Sequence, residues 1–166
     1  RTLWPKADPA VVQRAATRHT RAMQFSAVPG AVSAVRAVRN ARIATVLFTS
    51  RRHDDNIVHH LTRIGFGDQD FDHIHAVTDT VPPKSATNAL RYLLDTLEAL
   101  AVTKALQKAW VVGDSIREAE LALETDCCGF IGVLTGAATA EDIEQFGNRI
   151  TVVRSVADVE DLVPSL

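Results

Sequence analysis

The chain has 166 residues, 46% of them hydrophobic and 23% charged, with a formal charge of −2 and two cysteines. That is the length of one ordinary domain with a buried core, and the composition of a folded globular protein. The balanced charge, without a basic stripe, argues against nucleic acid as a partner. No run reaches the ~18 apolar residues of a membrane span, and the opening Arg1-Thr2-Leu3-Trp4 lacks the apolar core of a signal peptide, so a cytoplasmic protein is expected.

Asp8-Pro9 reads as a helix start, an acid at the N-cap followed by proline in the first turn. The helix is predicted to run to about Gln24, with Val11, Val12, Ala15, Ala16 and Met23 on its apolar face. Pro29-Gly30 breaks the chain, and a second helix is predicted from Ala31 to about Arg39, carrying Val32, Val35 and Val38 at helical spacing. A strand from Ile43 to Phe48 follows and ends in Thr49-Ser50-Arg51-Arg52. The next helix, about Asp54 to Ile64, stops at Gly65, as the left-handed position after a helix favours. A short strand is expected over His73 to Val77.

After Pro82-Pro83-Lys84, Ser85 can cap a long helix reaching about Ala101, with Ala86, Ala89, Leu90, Leu93, Leu94, Leu97 and Leu100 on one face. Residues 103–108 connect it to a strand–turn–helix–strand stretch whose strands are Ala109 to Val112 and Phe130 to Leu134, a right-handed βαβ unit of a parallel sheet. Thr139 with Asp142 resembles a capping box and opens a short helix ending near Gly147. A last strand, Ile150 to Val153, leads into a helix capped by Ser155 and closing near Leu162. Strands alternating with helices predict an α/β fold with a mostly parallel sheet covered on both faces.

Cys127 and Cys128 are adjacent and poorly placed to staple a loop, so they read as reduced residues at the core edge. His59/His60 and His73/His75 lack the i, i+4 spacing of a helical zinc site and read as surface or hydrogen-bonded residues.

The chemistry is expected at the carboxyl ends of the strands, where open α/β sheets bind ligands. Asp114 stands at such an end in Gly113-Asp114-Ser115, and Glu118 follows one helical turn later. Two carboxylates on one crevice need a cation or raised pKa values, and an oxygen-only pair suits Mg²⁺. The alternative is a turn whose Asp or Ser caps the next helix, with Glu118 on a solvated face. Thr49 and Ser50 offer hydroxyls and backbone amides to the oxygens of a phosphoryl group, and Lys84 can neutralise its charge. Taken singly, Thr49 is a turn residue and Lys84 a surface lysine. Arg51, Arg52 and His53 could touch a second anionic group or simply start a solvated helix.

With these pieces in order, the chain resembles the haloacid dehalogenase (HAD) superfamily over about residues 26 to 165. The resemblance rests on Pro29-Gly30 before a helix, the strand TVLFTSRR with Thr49, the loop VPPKSATNAL with Lys84, and VVGDSIREAELA with Asp114. The following FIGVLTG is similar to phosphoglycolate-phosphatase-like members. The resemblance implies a three-layer Rossmann-like core and an aspartyl-phosphate mechanism, in which an Asp of a DxDxT motif attacks the phosphoryl group. It implies that Thr49 binds phosphoryl oxygens, Lys84 stabilises the nucleophile and the transferred group, and Asp114 ligates Mg²⁺ directly or through water. Glu118 stands where these members usually have Asp, and Asp126 where Gly is usual.

No DxDxT occurs in the 166 residues. In this family its strand is the middle of the sheet, between the Ile43 and Ala109 strands, and a sheet without it would expose two apolar edges. The chain is therefore expected to be part of a longer protein, with residues 27–166 as the core domain. Two registers fit residues 1–26: Arg1-Thr2-Leu3 as the tail of the nucleophile motif, or the whole segment as the last helix of a helical cap. The resemblance implies a Mg²⁺-dependent phosphatase acting on a small phosphorylated metabolite. The competing expectation is a non-catalytic binding or scaffold protein that lacks the nucleophile.

Overall fold

A computed structural model describes residues 26–52, 56–82, 88–100, 108–125 and 127–166. Five strands alternate with helices: α1 (Ala31–Asn40), β1 (Val46–Arg52), α2 (Ile57–Arg63), β2 (His73–Val77), α3 (Ala89–Ala99), β3 (Trp110–Gly113), α4 (Ile116–Leu123), β4 (Gly129–Val133), α5 (Ala140–Glu144), β5 (Ile150–Val153) and α6 (Val159–Leu162). All strand pairings among them are parallel, β1 with β2 and, separately, β3 with β4 and β4 with β5. This is the expected α/β architecture. The predicted helix over 9–24, Ser85 and Lys84 lie outside the described residues. No helix among the described residues is long and apolar enough to cross a membrane.

Period-two alternation along β4 builds the three layers. Phe130 joins Ala119 and Ala122 of α4 and Ile143 of α5 in one apolar cluster. The next residue, Ile131, joins Val133 and Val159, with Val38 of α1 and Leu162 of α6 packed against them. Residues Gly129–Val133 are buried throughout, as befits a strand paired on both sides and covered on both faces. The leucines of α3, Leu90, Leu93, Leu94 and Leu97, meet Leu121 and Cys127 and are touched by both Val46 and Phe48 of β1 and Ala109 and Val111 at β3. One helix thus roofs both sheets, although no ladder joins β1 to β3 among the described residues.

Local signals account for the ends. Gly65 and Gly147 take left-handed φ values of 101° and 98°, ending α2 and the α5 turn where glycine was expected to end them. Thr139 accepts from the Asp142 amide while the Asp142 carboxylate accepts from the Thr139 amide, a complete capping box despite the shorter acid. Ser155 and Asp158 form a second one. The α2–β2 connection is clamped to α1: Arg36 donates from Nε and Nη2 to Asp70 at 3.1 and 3.0 Å, and Asp70 also accepts from the Gly67 amide at 2.7 Å. The Arg36 hydrogen bonds hold the Asp70 carboxyl below its usual range.

Two expectations need correction. The first strand does not stop at Phe48: β1 continues to Arg52, with its register to β2 shifted between Phe48 and Arg52. Thr49 Oγ1 accepts from the Arg51 amide at 3.2 Å, so a local hydroxyl–backbone bond holds the irregular part of the strand. His75 is not a surface or hydrogen-bonded residue. It is 3% exposed, lies edge-on to Phe48 and Tyr92 with ring centroids 5.5 and 5.7 Å away, and its Nε2 is buried without a hydrogen-bond partner among the described residues. The other cysteine and histidine expectations stand closer to the structure: neither cysteine forms a disulfide, Cys127 being buried and Cys128 exposed, and His59 is exposed.

Burial, and then the neighbouring His73 at a centroid distance of 6.0 Å, lower the His75 pKa below its ordinary 6.5. The folded chain then binds fewer protons at His75 than the unfolded chain, so this contribution is fully present above about pH 6.5 and is lost as the pH falls below it. The loss has a ceiling of about 1.4 kcal/mol per pH unit for one group. In urea titrations at pH 7.5 and 5.5, the wild-type midpoint is expected to fall on acidification. His75→Phe, which keeps the ring contacts, should shrink that fall without abolishing it, because burial also lowers the pKa of His73. An unchanged fall in the variant would show that the acid sensitivity lies elsewhere. Asp70 acts in a different window: its lowered pKa stabilises the fold above the unfolded carboxylate value near 4 and is lost as the pH drops through the folded one.

Candidate active site

Asp114 follows directly on β3 and is exposed at the strand's carboxyl end. Ser115 is the N-cap of α4, and its hydroxyl accepts from the Glu118 amide at 3.4 Å. The Glu118 carboxylate turns back and accepts from the backbone N–H of Asp114 at 2.9 Å through Oε2. Ser115-x-x-Glu118 therefore works as a displaced capping box, with the acid reaching the amide one residue before the N-cap. The Glu118 carboxylate meets the Asp114 backbone, and this bond makes Glu118 a brace of the loop that carries Asp114.

Two glycines make this packing possible. A Cβ on Gly113 would lie 2.1 Å from Glu118 Oε2 and 2.7 Å from its Cδ. A Cβ on Gly136 would lie 2.1 Å from Asp114 Oδ2 and 2.4 Å from both Cβ and Cγ of Asp114. Gly136 sits in the turn after β4, whose first residue, Leu134, donates its amide to Val153 O at 3.1 Å and so ties the turn to β5. The Asp114 carboxylate is lodged between its own loop and this turn. Sequence reading singled out the carboxylates and passed over Gly113 and Gly136; the signal available was a glycine immediately before the acid and another closing the FIGVLTG segment.

Thr49, Ser50 and Arg51 form the second assembled group, on the irregular end of β1. Thr49 Oγ1 is engaged by the Arg51 amide, Ser50 is exposed, and Arg52 donates to Asp79 at 3.0 Å. The irregular end of β1 thus carries hydroxyls and cationic side chains. Lys84 and His53 lie outside the described residues. No group of three or more His, Cys, Asp or Glu side chains suited to a metal occurs among the described residues. The donors that are present, an exposed carboxylate at a strand end with a braced second one beside it, offer only oxygen. They suit a hard cation that keeps part of its water shell, so Asp114 fits Mg²⁺ by donor chemistry.

Comparison with known proteins agrees with the fold. The structure is similar to a hydrolase from Pseudomonas syringae (TM-score 0.75, 17% identity, covering 97% of this chain and 72% of that one). It is also similar to a protein from Clostridium acetobutylicum described as a phosphatase (0.63, 20%, 81% and 58%). A third resemblance is to a protein from Bacteroides fragilis described as a haloacid dehalogenase-like hydrolase (0.66, 19%). The chain aligns with 59% of the length of that last protein, using 80% of its own. No curated protein gives a significant match to the sequence. At these identities the structures establish the fold, and the family follows from the sequence itself, which matches the haloacid dehalogenase-like hydrolase description over residues 3–124. The chain belongs to the haloacid dehalogenase-like hydrolases.

Proposed function

We propose that the full-length protein is a Mg²⁺-dependent phosphatase that hydrolyses a small phosphorylated metabolite through an aspartyl-phosphate intermediate, with residues 27–166 as its catalytic core. The observation that carries this reading is the Asp114 carboxylate, exposed at the carboxyl end of β3 and packed against Gly136 in the turn after β4. In this reading Asp114 holds Mg²⁺ directly or through water, and Glu118 keeps the Asp114 loop in place through the backbone bond at 2.9 Å. Mg²⁺ bound there would offset charge on the phosphoryl oxygens and on the nucleophile. Thr49 and Ser50 supply hydroxyls and amides to the phosphoryl oxygens, Arg51 meets a further anionic group, and Lys84 stabilises the transferred group electrostatically. Residues 1–26 belong either to the end of a helical cap or to the segment that follows the nucleophile.

The nucleophile itself belongs to a strand lying between β1 and β3. Support comes from the pattern of burial. β4, paired on both sides, is buried along its length, whereas Val46, Leu47 and Phe48 of β1 are only half-buried and Val112 of β3 is 43% exposed. Both strands nevertheless lie against the same α3 leucines. Apolar strands under one helix, without a ladder between them among the described residues, have the geometry of a parallel sheet that accepts one more strand. The absence of DxDxT from the 166 residues favours a second reading, a phosphate- or Mg²⁺-binding protein without turnover.

Two variants of the full-length protein test the enzyme reading. Lys84→Ala should lower kcat by about 10²–10³, the loss expected when one electrostatic contact to the developing charge is removed, with little change in the urea midpoint. Asp114→Asn should raise the Mg²⁺ concentration needed for half-maximal rate. Normal rates and Mg²⁺ dependence in both would place the chemistry elsewhere.

A further inference from the structure

We infer that Gly136 is a positioning residue for Asp114: the missing side chain in the turn after β4 is what lets the Asp114 carboxylate occupy its place at the end of β3. The inference deepens the metal reading above and rests on it. Glycine at position 136 is not demanded by the backbone, because its φ lies outside the left-handed region that Gly30, Gly65 and Gly147 occupy. What a methyl group at 136 would meet first is Asp114: the three nearest atoms are its Oδ2, Cγ and Cβ, at 2.1, 2.4 and 2.4 Å.

The third of these distances decides the consequence. Rotation about χ1 can move Oδ2 and Cγ away, but Cβ is fixed to the main chain. Ordinary van der Waals contact begins at 3.4 Å, so relief from 2.4 Å requires the Asp114 loop and the 134–137 turn to separate by about 1 Å. Both are anchored, the turn by the Leu134 amide on Val153 O and the loop by Glu118 on the Asp114 amide. The strain therefore falls on the carboxylate and its loop. A residue that contacts no substrate thereby sets where the charge of Asp114 sits, and a displacement of this size at a ligand is expected to weaken metal binding by tenfold or more.

The test uses the full-length protein and Mn²⁺, a paramagnetic stand-in for Mg²⁺, titrated with electron paramagnetic resonance detection, so that binding is read without turnover. Gly136→Ala is expected to weaken Mn²⁺ binding at least about tenfold, and Ala137→Ser, in the same exposed turn, to leave it unchanged. A double-mutant cycle in urea isolates the contact: Gly136→Ala should lower the midpoint in the wild-type background and not in Asp114→Gly, where the opposing side chain is gone. If Gly136→Ala does not fold alone, the Asp114→Gly/Gly136→Ala chain decides. Recovery of folding supports the inference; continued failure overturns it, because the obstacle is then not Asp114. Wild-type Mn²⁺ affinity in Gly136→Ala, alongside lost affinity in Asp114→Asn, overturns the positioning role and leaves the metal reading intact. Wild-type affinity in Asp114→Asn overturns the metal reading itself, while the urea cycle still reports on the contact.

Discussion

The purified 166-residue chain should hydrolyse p-nitrophenyl phosphate no faster than buffer containing the same Mg²⁺, at any concentration of metal. The reason is the division of labour in covalent phosphoryl transfer. In the reading proposed above, Asp114, Lys84 and Thr49 bind and polarise the phosphoryl group, and the 166 residues contain no D-x-D-x-T to supply a nucleophile and its acid/base partner. Phosphate-monoester hydrolysis in water is among the slowest uncatalysed reactions known, so enzymes of this chemistry work with accelerations of many orders of magnitude. Electrostatic binding without the nucleophile recovers only a residual part of that, as in other sites where the covalent group has been removed. The measurement is a discontinuous phosphate-release assay at high protein concentration, with and without chelator. Chelator-sensitive turnover by this chain would mean that one of its own carboxylates attacks phosphorus, and the roles proposed for Asp114 and Glu118 would have to be exchanged for others.

The order of elements was legible in the sequence because the hydrophobic period switches repeatedly between about two and about 3.6. His73–Val77 and Ile150–Val153 emerge with the bounds read from alternation and flanking turn residues. The caps at Thr139 and Ser155 were legible for a similar reason: each is a local bond between residues three apart, which no distant packing overrides. The end of β1 was not legible, since Thr49 and Ser50 look like turn residues and their extension depends on pairing with β2, a strand more than twenty residues away. His75 was misread because its burial comes from Phe48 and Tyr92 on other elements. At the site, Ser115-x-x-Glu118 carried the capping signal openly, but a carboxylate four residues from Asp114 invites a metal reading first. The close approach of Gly136 could not be read locally, because it is made to Asp114, in the loop after another strand.

Phe130→Ala should remove about 3–5 kcal/mol of unfolding free energy, a large part of the ~5–15 kcal/mol that holds a domain of this kind together. Phe130 has no exposed surface, and its strand is paired on one side through Val111 and on the other through Ile150. Its cluster partners on α4 are small, Ala119 and Ala122, so on that side the ring fills space that they cannot, with Ile143 of α5 beside it. Gly132 sharpens the point: a Cβ there would lie 2.8 Å from Ile143 Cγ2, which means that α5 already rests on the strand backbone and cannot settle further into the void. A cavity that cannot collapse loses both the transfer free energy of the ring and its packing contacts. Val112→Ala, at a side chain 43% exposed, provides the contrast and should lose well under half as much. Urea unfolding followed by circular dichroism would measure both, and equal losses would show that β4 is not the centre of the fold. The consequence for function follows from continuity along the chain. β4 runs directly into the turn that bears Gly136, so loosening Phe130 should also loosen the wall against which the Asp114 carboxylate is set. A Phe130 variant rescued by low temperature is accordingly expected to bind Mn²⁺ more weakly than the wild type, even while it remains folded.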